Sequence, residues 1–154
     1  MTNPGFQHIL VPLDGTPSSE LALGAAQQAV SQAGRLTLVQ IAEDLVAPHQ
    51  LPHDSDKETF WQQQAQPARD YLDGAAKLVW RTDLEVKTLV ASGHPATAIL
   101  DIVADSAVDA VSMCSHTHSK LRQFLLGSTV QTVMRRCPVP LIIVHPSPER
   151  DEPS

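Results

Sequence analysis

Short apolar runs alternate with amphipathic stretches along almost the whole chain, and that alternation limits the folds open to it. His8–Leu13, Leu36–Ile41, Leu84–Val90, Val108–Met113 and Leu141–Val144 each read as a buried strand. Between them lie segments with apolar residues at helical spacing. Thr16 before Pro17 is an N-cap followed by proline at the first helical position. The helix it opens carries Ala22, Ala25 and Ala29 on one face and is expected to end near Gly34. Trp61, Ala65, Ala68, Leu72, Ala75 and Val79 mark a helix from Thr59 to Arg81, with Pro67 demanding a kink or a late start. Gly93-His94-Pro95 turns into a helix that faces Ala96, Ile99 and Val103 inward. Gly127 opens a last helix, which Cys137-Pro-Val-Pro ends.

The resulting βαβαβαβαβ order, with continuously apolar strands, implies a parallel sheet covered on both faces by right-handed crossovers. Ligands of such sheets bind beyond the carboxyl ends of the strands, where the strand order switches direction. The loops after Leu13, Ile41, Val90 and Met113 are therefore the ones that matter. The segment Glu43–Lys57 has two prolines, two histidines and no sustained period. It reads as a flexible loop within residues 43–58, long enough for a lid or an interaction. Residues 147–154, SPERDEPS, read as a disordered tail.

A chain of 154 residues with 42% hydrophobic and 18% charged residues suits one domain with a sizeable core. Its net charge of −6 argues against nucleic-acid backbones and anionic membranes as partners, though one pocket can still be locally positive. The opening MTNPGFQHILVPLDG has no basic region followed by a long apolar run, so a cytoplasmic protein without a signal peptide is expected. Cys114 and Cys137 are too few for a disulfide scaffold.

The residues able to carry chemistry lie at the two ends. Asp14 follows the first strand, where it could bind a ribose hydroxyl or a base amine, or simply cap the turn. Gly127-Ser128-Thr129 begins a helix whose free N–H groups and dipole suit a phosphate. Cys114, His116 and His118 alternate as C-x-H-x-H, with His94 on a neighbouring loop. A zinc-type site is conceivable there, yet the spacing matches no established zinc signature. Polar side chains lining a cleft or facing solvent account for it as well. Cys137 reads as a packing residue, and Arg135-Arg136 as charges suited to a helix C-terminus. The chain has no G-x-S-x-G, no P-loop lysine motif and no H-E-x-x-H. It also lacks the S-G-G loop or H-x-G-H of α/β folds that activate acyl or sulfur groups with nucleotides.

Three segments, HILVPLDGTPSSELAL, ASGHPATAILDIVADSAVDAVSM and LLGSTVQTVMRRCPVPLIIV, resemble the universal stress protein family. The resemblance spans nearly everything but 43–57 and the tail. It implies one α/β domain over residues 1–146, a Rossmann-like five-stranded parallel sheet of order 3-2-1-4-5 with helices on both faces. It implies a small stress-response regulator that acts as a homodimer through Leu141–Val144, a strand that would otherwise be an apolar edge. ATP or another adenine nucleotide is the implied ligand, with no metal beyond magnesium accompanying it. Residues matching Pro12, Asp14, Ile41 and Met113 would hold the adenosine. A family motif, G-x-x-G, nine residues, then G-S/T, would wrap the phosphates and ends here at Gly127-Ser128, followed by Thr129. Its first two glycines fall on Cys114 and Thr117, so that cradle is half intact. Thr117, Ser119, His118 and Lys120 would have to supply side-chain donors instead. Weak nucleotide binding follows from this reading. The alternatives are weak ATP hydrolysis, which some family members are allowed, and a metal- or ligand-sensing module using the His/Cys loop.

Overall fold

The computed structural model describes residues 5–43, 56–115 and 126–146. Five strands form one sheet: β1 (Phe6–Pro12), β2 (Val30–Ala42), β3 (Glu85–Ser92), β4 (Ala110–Cys114) and β5 (Leu141–Val144). Their order is β3-β2-β1-β4-β5, and every adjacent pair is parallel. Four helices connect them: α1 (Pro17–Ala29), α2 (Lys57–Ala76), α3 (Pro95–Asp105) and α4 (Ser128–Arg136). Among the described residues, no helix is long and apolar enough to cross a membrane.

Two buried clusters show how the alternation is used. Ile9 and Val11 of β1 and Leu36 and Leu38 of β2 face α1 and α2, where Ala22, Leu23, Ala26, Leu72 and Ala75 meet them. The opposite-facing Leu10, Val39, Val111 and Met113 meet Ala96, Ile99 and Val103 of α3 and Val130 and Val133 of α4. Successive strand residues thus enter different cores, which is why the central strands are apolar throughout. Burying each Leu or Ile fully contributes about 1.5–3 kcal/mol.

The first connection departs from the expectation drawn from Gly34. Helix α1 ends at Ala29, and the chain enters β2 at once through Val30, which pairs with Phe6. Gly34 lies inside β2, where a Cβ would come within 2.6 Å of the Val30 side chain and 3.0 Å of the Gln7 carbonyl oxygen. The glycine marks a close backbone approach at an irregular register, not a helix end. The buried stripe of α1 is accordingly Ser19, Ala22, Leu23, Ala26 and Gln27, while Ala25 and Ala29 are only half-buried.

Helix α2 begins at Lys57, two residues before Thr59, because Asp56 caps it through the Thr59 N–H at 3.1 Å. It runs through Pro67 and stops at Ala76 rather than Arg81. Tertiary contacts reclaim the residues beyond it. The Arg81 guanidinium donates to the carbonyls of Gln27 (2.8 Å), Val30 (2.9 Å) and Ser31 (3.3 Å), and pairs with Asp83 at 2.7 Å. Those carbonyls close α1 and start β2, where the helix leaves acceptors without internal donors. The buried Gln27 amide completes the junction by accepting from the Trp80 N–H at 2.9 Å.

Candidate functional site

The chain leaves β1 in one direction for β2, and β4 pairs on the other side of β1 (Ile9 opposite Ala110, Leu10 opposite Val111). The switch point therefore lies between β1 and β4. A cleft of about 570 Å³ opens there, beyond the carboxyl ends of the strands. Of the residues expected from sequence to form one site, Pro12, Asp14, Ile41, Met113, Ser128 and Thr129 all line it. Gly127 stands beside them as the N-cap of α4. Thr117 and Ser119 lie outside the described residues, as do His116, His118 and Lys120.

Asp14 is held by its own turn. Its Oδ1 accepts the Thr16 N–H at 2.9 Å and the Thr16 hydroxyl at 2.5 Å. The Thr16 hydroxyl in turn accepts the Ser19 N–H at 3.3 Å, capping α1. Gly15 makes the turn with φ +87°, a left-handed conformation suited to glycine. The capping role expected of Asp14 thus falls on one of its two oxygens. Oδ1 serves the turn, whereas Oδ2 is buried and has no hydrogen-bond partner among the described residues. A free buried carboxylate oxygen on a cleft wall suits a ligand hydroxyl or amine.

Across the cleft, α4 starts at Ser128 with no side-chain cap bond and no acid in its first turn. Gly127 is tied down by its own N–H, which donates to the Ser115 carbonyl at 2.9 Å. The first-turn amides and the positive end of the dipole are therefore available on the cleft side, while Arg135 and Arg136 complement the other end. Ile41, Ile99 and Met113 supply an apolar flank between these polar poles. Ser19, close to Asp14, lines the same wall. Next to it, the Tyr71 hydroxyl donates to Glu20 at 3.1 Å. Burial, more than the neighbouring carboxylates, pushes its pKa up to about 12, so this tyrosine behind the cleft residues stays a neutral phenol.

Cys114 also lines the cleft, 5% exposed, as the last residue of β4 in register with Val144. Ala33 and Ala107 are the non-glycine residues with positive φ among those described, so Cys114 carries no left-handed strain. At that motif position the departure from glycine changes the room in the cleft, not the backbone. His94 is exposed and caps α3 without a side-chain bond. Among the described residues, no three His, Cys, Asp or Glu side chains are grouped to hold a metal ion. Cys137 packs partly buried against the second core, as its sequence context implied.

Residues 5–145 match the family model of the universal stress proteins. The chain belongs to the universal stress protein family. It is 39% identical over 59 residues to universal stress protein Slr1230 of Synechocystis, a stretch that is 38% of this chain and 20% of that protein. It is 29% identical over 77 residues to universal stress protein MJ0577 of Methanocaldococcus jannaschii, covering 50% of this chain and 48% of that one. The matched stretches thus span less than half of either relative.

Among solved structures, that of MJ0577 superposes with a TM-score of 0.74 at 22% identity, covering 92% of this chain and 97% of the other. A universal stress protein in complex with cAMP gives 0.64 at 24% identity, covering 93% and 99%. An Arabidopsis thaliana family protein with AMP bound gives 0.57 at 10% identity, covering 96% and 97%. At these identities the superpositions establish the shared fold.

Among the cleft residues that the sequence reading missed are Gln40 and Gln64. Their signal was present: each is a polar residue at a position where its element is otherwise apolar.

Proposed function

We propose that this protein is a regulatory universal stress protein that binds an adenine nucleotide reversibly in the cleft between β1 and β4. The observation that carries this reading is the unpartnered, buried Oδ2 of Asp14 on the wall opposite the uncapped N-terminus of α4. An acceptor at one end and free N–H groups at the other match a nucleoside phosphate, with hydroxyls at one pole and anionic oxygens at the other. Ile41 and Met113 flank the ring, and the Ser128 N–H and hydroxyl meet a phosphate. Family structures holding cAMP and AMP support the choice of ligand.

Affinity is modest in this reading. Cys114 and Thr117 stand where the family motif has glycines, which leaves helix α4 as the main phosphate-binding element. The functional unit is a homodimer in the cytoplasm, with β5 paired to its copy. Among the described residues, β5 pairs with β4 on one edge and with no strand on the other, and its four residues are all half-buried.

Native mass spectrometry of the purified protein is expected to show a co-purified adenine nucleotide. Titration calorimetry with AMP, cAMP and ATP is expected to give dissociation constants above the micromolar range. Absence of any binding heat at millimolar nucleotide would refute the reading, and a bound metal without nucleotide would replace it with the sensor alternative.

A further inference from the structure

Three buried side-chain atoms lack a hydrogen-bond partner among the described residues: Asp14 Oδ2, Gln40 Oε1 and Gln64 Nε2. All three residues line the same cleft. Gln40 follows Leu36 and Leu38 along β2, both fully buried, so strand alternation puts it on the face covered by α1 and α2. Gln64 precedes Ala68 and Leu72 at intervals of four along α2, on the stripe that faces the sheet. Each glutamine breaks the apolar pattern of its element, and the two breaks converge beside Asp14.

The buried Gln27 shows what a structural role looks like in this fold. Gln27 uses both ends of its amide, donating to the Leu23 carbonyl and accepting from the Trp80 and Arg81 N–H groups. Gln40 Oε1 and Gln64 Nε2 do nothing comparable. Leaving buried polar atoms unpaired is costly, and such costs are found where a site must meet a ligand.

We propose that Gln40 and Gln64 are the residues that read the polar edge of the bound base. The proposal rests on the adenine-nucleotide reading above. Gln40 Oε1 is an acceptor and Gln64 Nε2 a donor, and an aminopurine presents the complement: an exocyclic amino group beside ring-nitrogen acceptors. Asp14, acceptor only, takes a ribose hydroxyl. Ile41 and Met113, on the other face of the sheet, contribute the apolar flank. Specificity for an amino-bearing purine would then come from side chains of β2 and α2, while phosphate binding comes from α4.

The test uses Gln40→Leu and Gln64→Leu in the full chain, with AMP and with purine riboside 5′-monophosphate, which lacks the amino group, as calorimetric probes. The wild type is expected to prefer AMP about 10-fold, the scale of one buried hydrogen bond. Gln40→Leu should lose that preference. Gln64→Leu should weaken both ligands about 10-fold, since both carry the ring nitrogens. Both variants should melt at or above the wild-type temperature, because each removes an unpaired buried atom without breaking a bond. Variants that melt several degrees lower would show a structural role and overturn the assignment. So would variants that bind AMP with wild-type affinity and preference, and that outcome would leave the nucleotide reading standing. A wild type that binds neither probe would overturn both.

Discussion

Replacing Asp14 with Asn separates its turn contacts from the ligand contact proposed for it. An asparagine can keep its oxygen on the Thr16 N–H and hydroxyl, now 2.9 and 2.5 Å from Oδ1, and place its amide nitrogen where Oδ2 lies. The turn into α1 then persists, at a loss of about 1 kcal/mol or less from exchanging a charged acceptor for a neutral one. For a domain of this size that lowers the melting temperature by about 2–4 °C at most. The cleft atom, however, changes from acceptor to donor. A ligand hydroxyl that donated to a carboxylate loses about 2 kcal/mol, or about 30-fold in affinity. Asp14→Ala is the contrasting variant. It removes both Thr16 contacts as well and should cost about 1–2 kcal/mol of stability, lowering the melting temperature by about 2–8 °C. Calorimetry with AMP, paired with thermal melts of all three proteins, checks this. Asp14→Asn that melts like the wild type and also binds AMP like the wild type would refute the division of labour between the two oxygens.

The remaining expectations concern the edges of the fold. Ile143→Lys should dissociate the proposed dimer by placing a charge in a dry strand pairing, read as a halved mass by light scattering at micromolar concentration. Arg81→Met should cost about 2–3 kcal/mol by removing its bonds to the Gln27, Val30 and Ser31 carbonyls, lowering the melting temperature by about 4–12 °C without altering ligand affinity. Tyr71 is held neutral by burial, with its pKa raised from about 10 in the unfolded chain to about 12. Its stabilisation is whole below pH 10 and fades as pH rises from 10 to 12, so alkaline melting curves of Tyr71→Phe should be flatter than wild type in that window. His8, neutralised mainly by burial and then by Arg35, has a lowered pKa and works in the opposite sense. Its contribution is present above pH 6.5 and is lost as pH falls through its folded value, which acid melts of His8→Gln should show.

Element type was legible from sequence because it depends on local periodicity. Apolar runs such as Leu141–Val144 and stripes such as Ala96, Ile99 and Val103 need no distant partner to declare themselves. The Thr16-Pro17 and Gly127-Ser128 helix starts are likewise written in neighbouring residues. With the strands known to be parallel, the carboxyl-end rule also singled out Asp14 and Ser128 in advance. Tertiary structure decided the rest, because it depends on residues far apart in the chain. Gly34 reads in sequence as a helix end, and only the approach of Gln7 and Val30 shows it to be a contact point inside β2. Arg81 continued a helical pattern, but bonds to carbonyls some fifty positions away draw it out of α2. Gln40 and Gln64 each show in the sequence as a polar break in an apolar pattern, but nothing there says that the two breaks meet. Only when β2 and α2 fold together do they turn inward beside Asp14, leaving their buried polar atoms unpaired in one cleft.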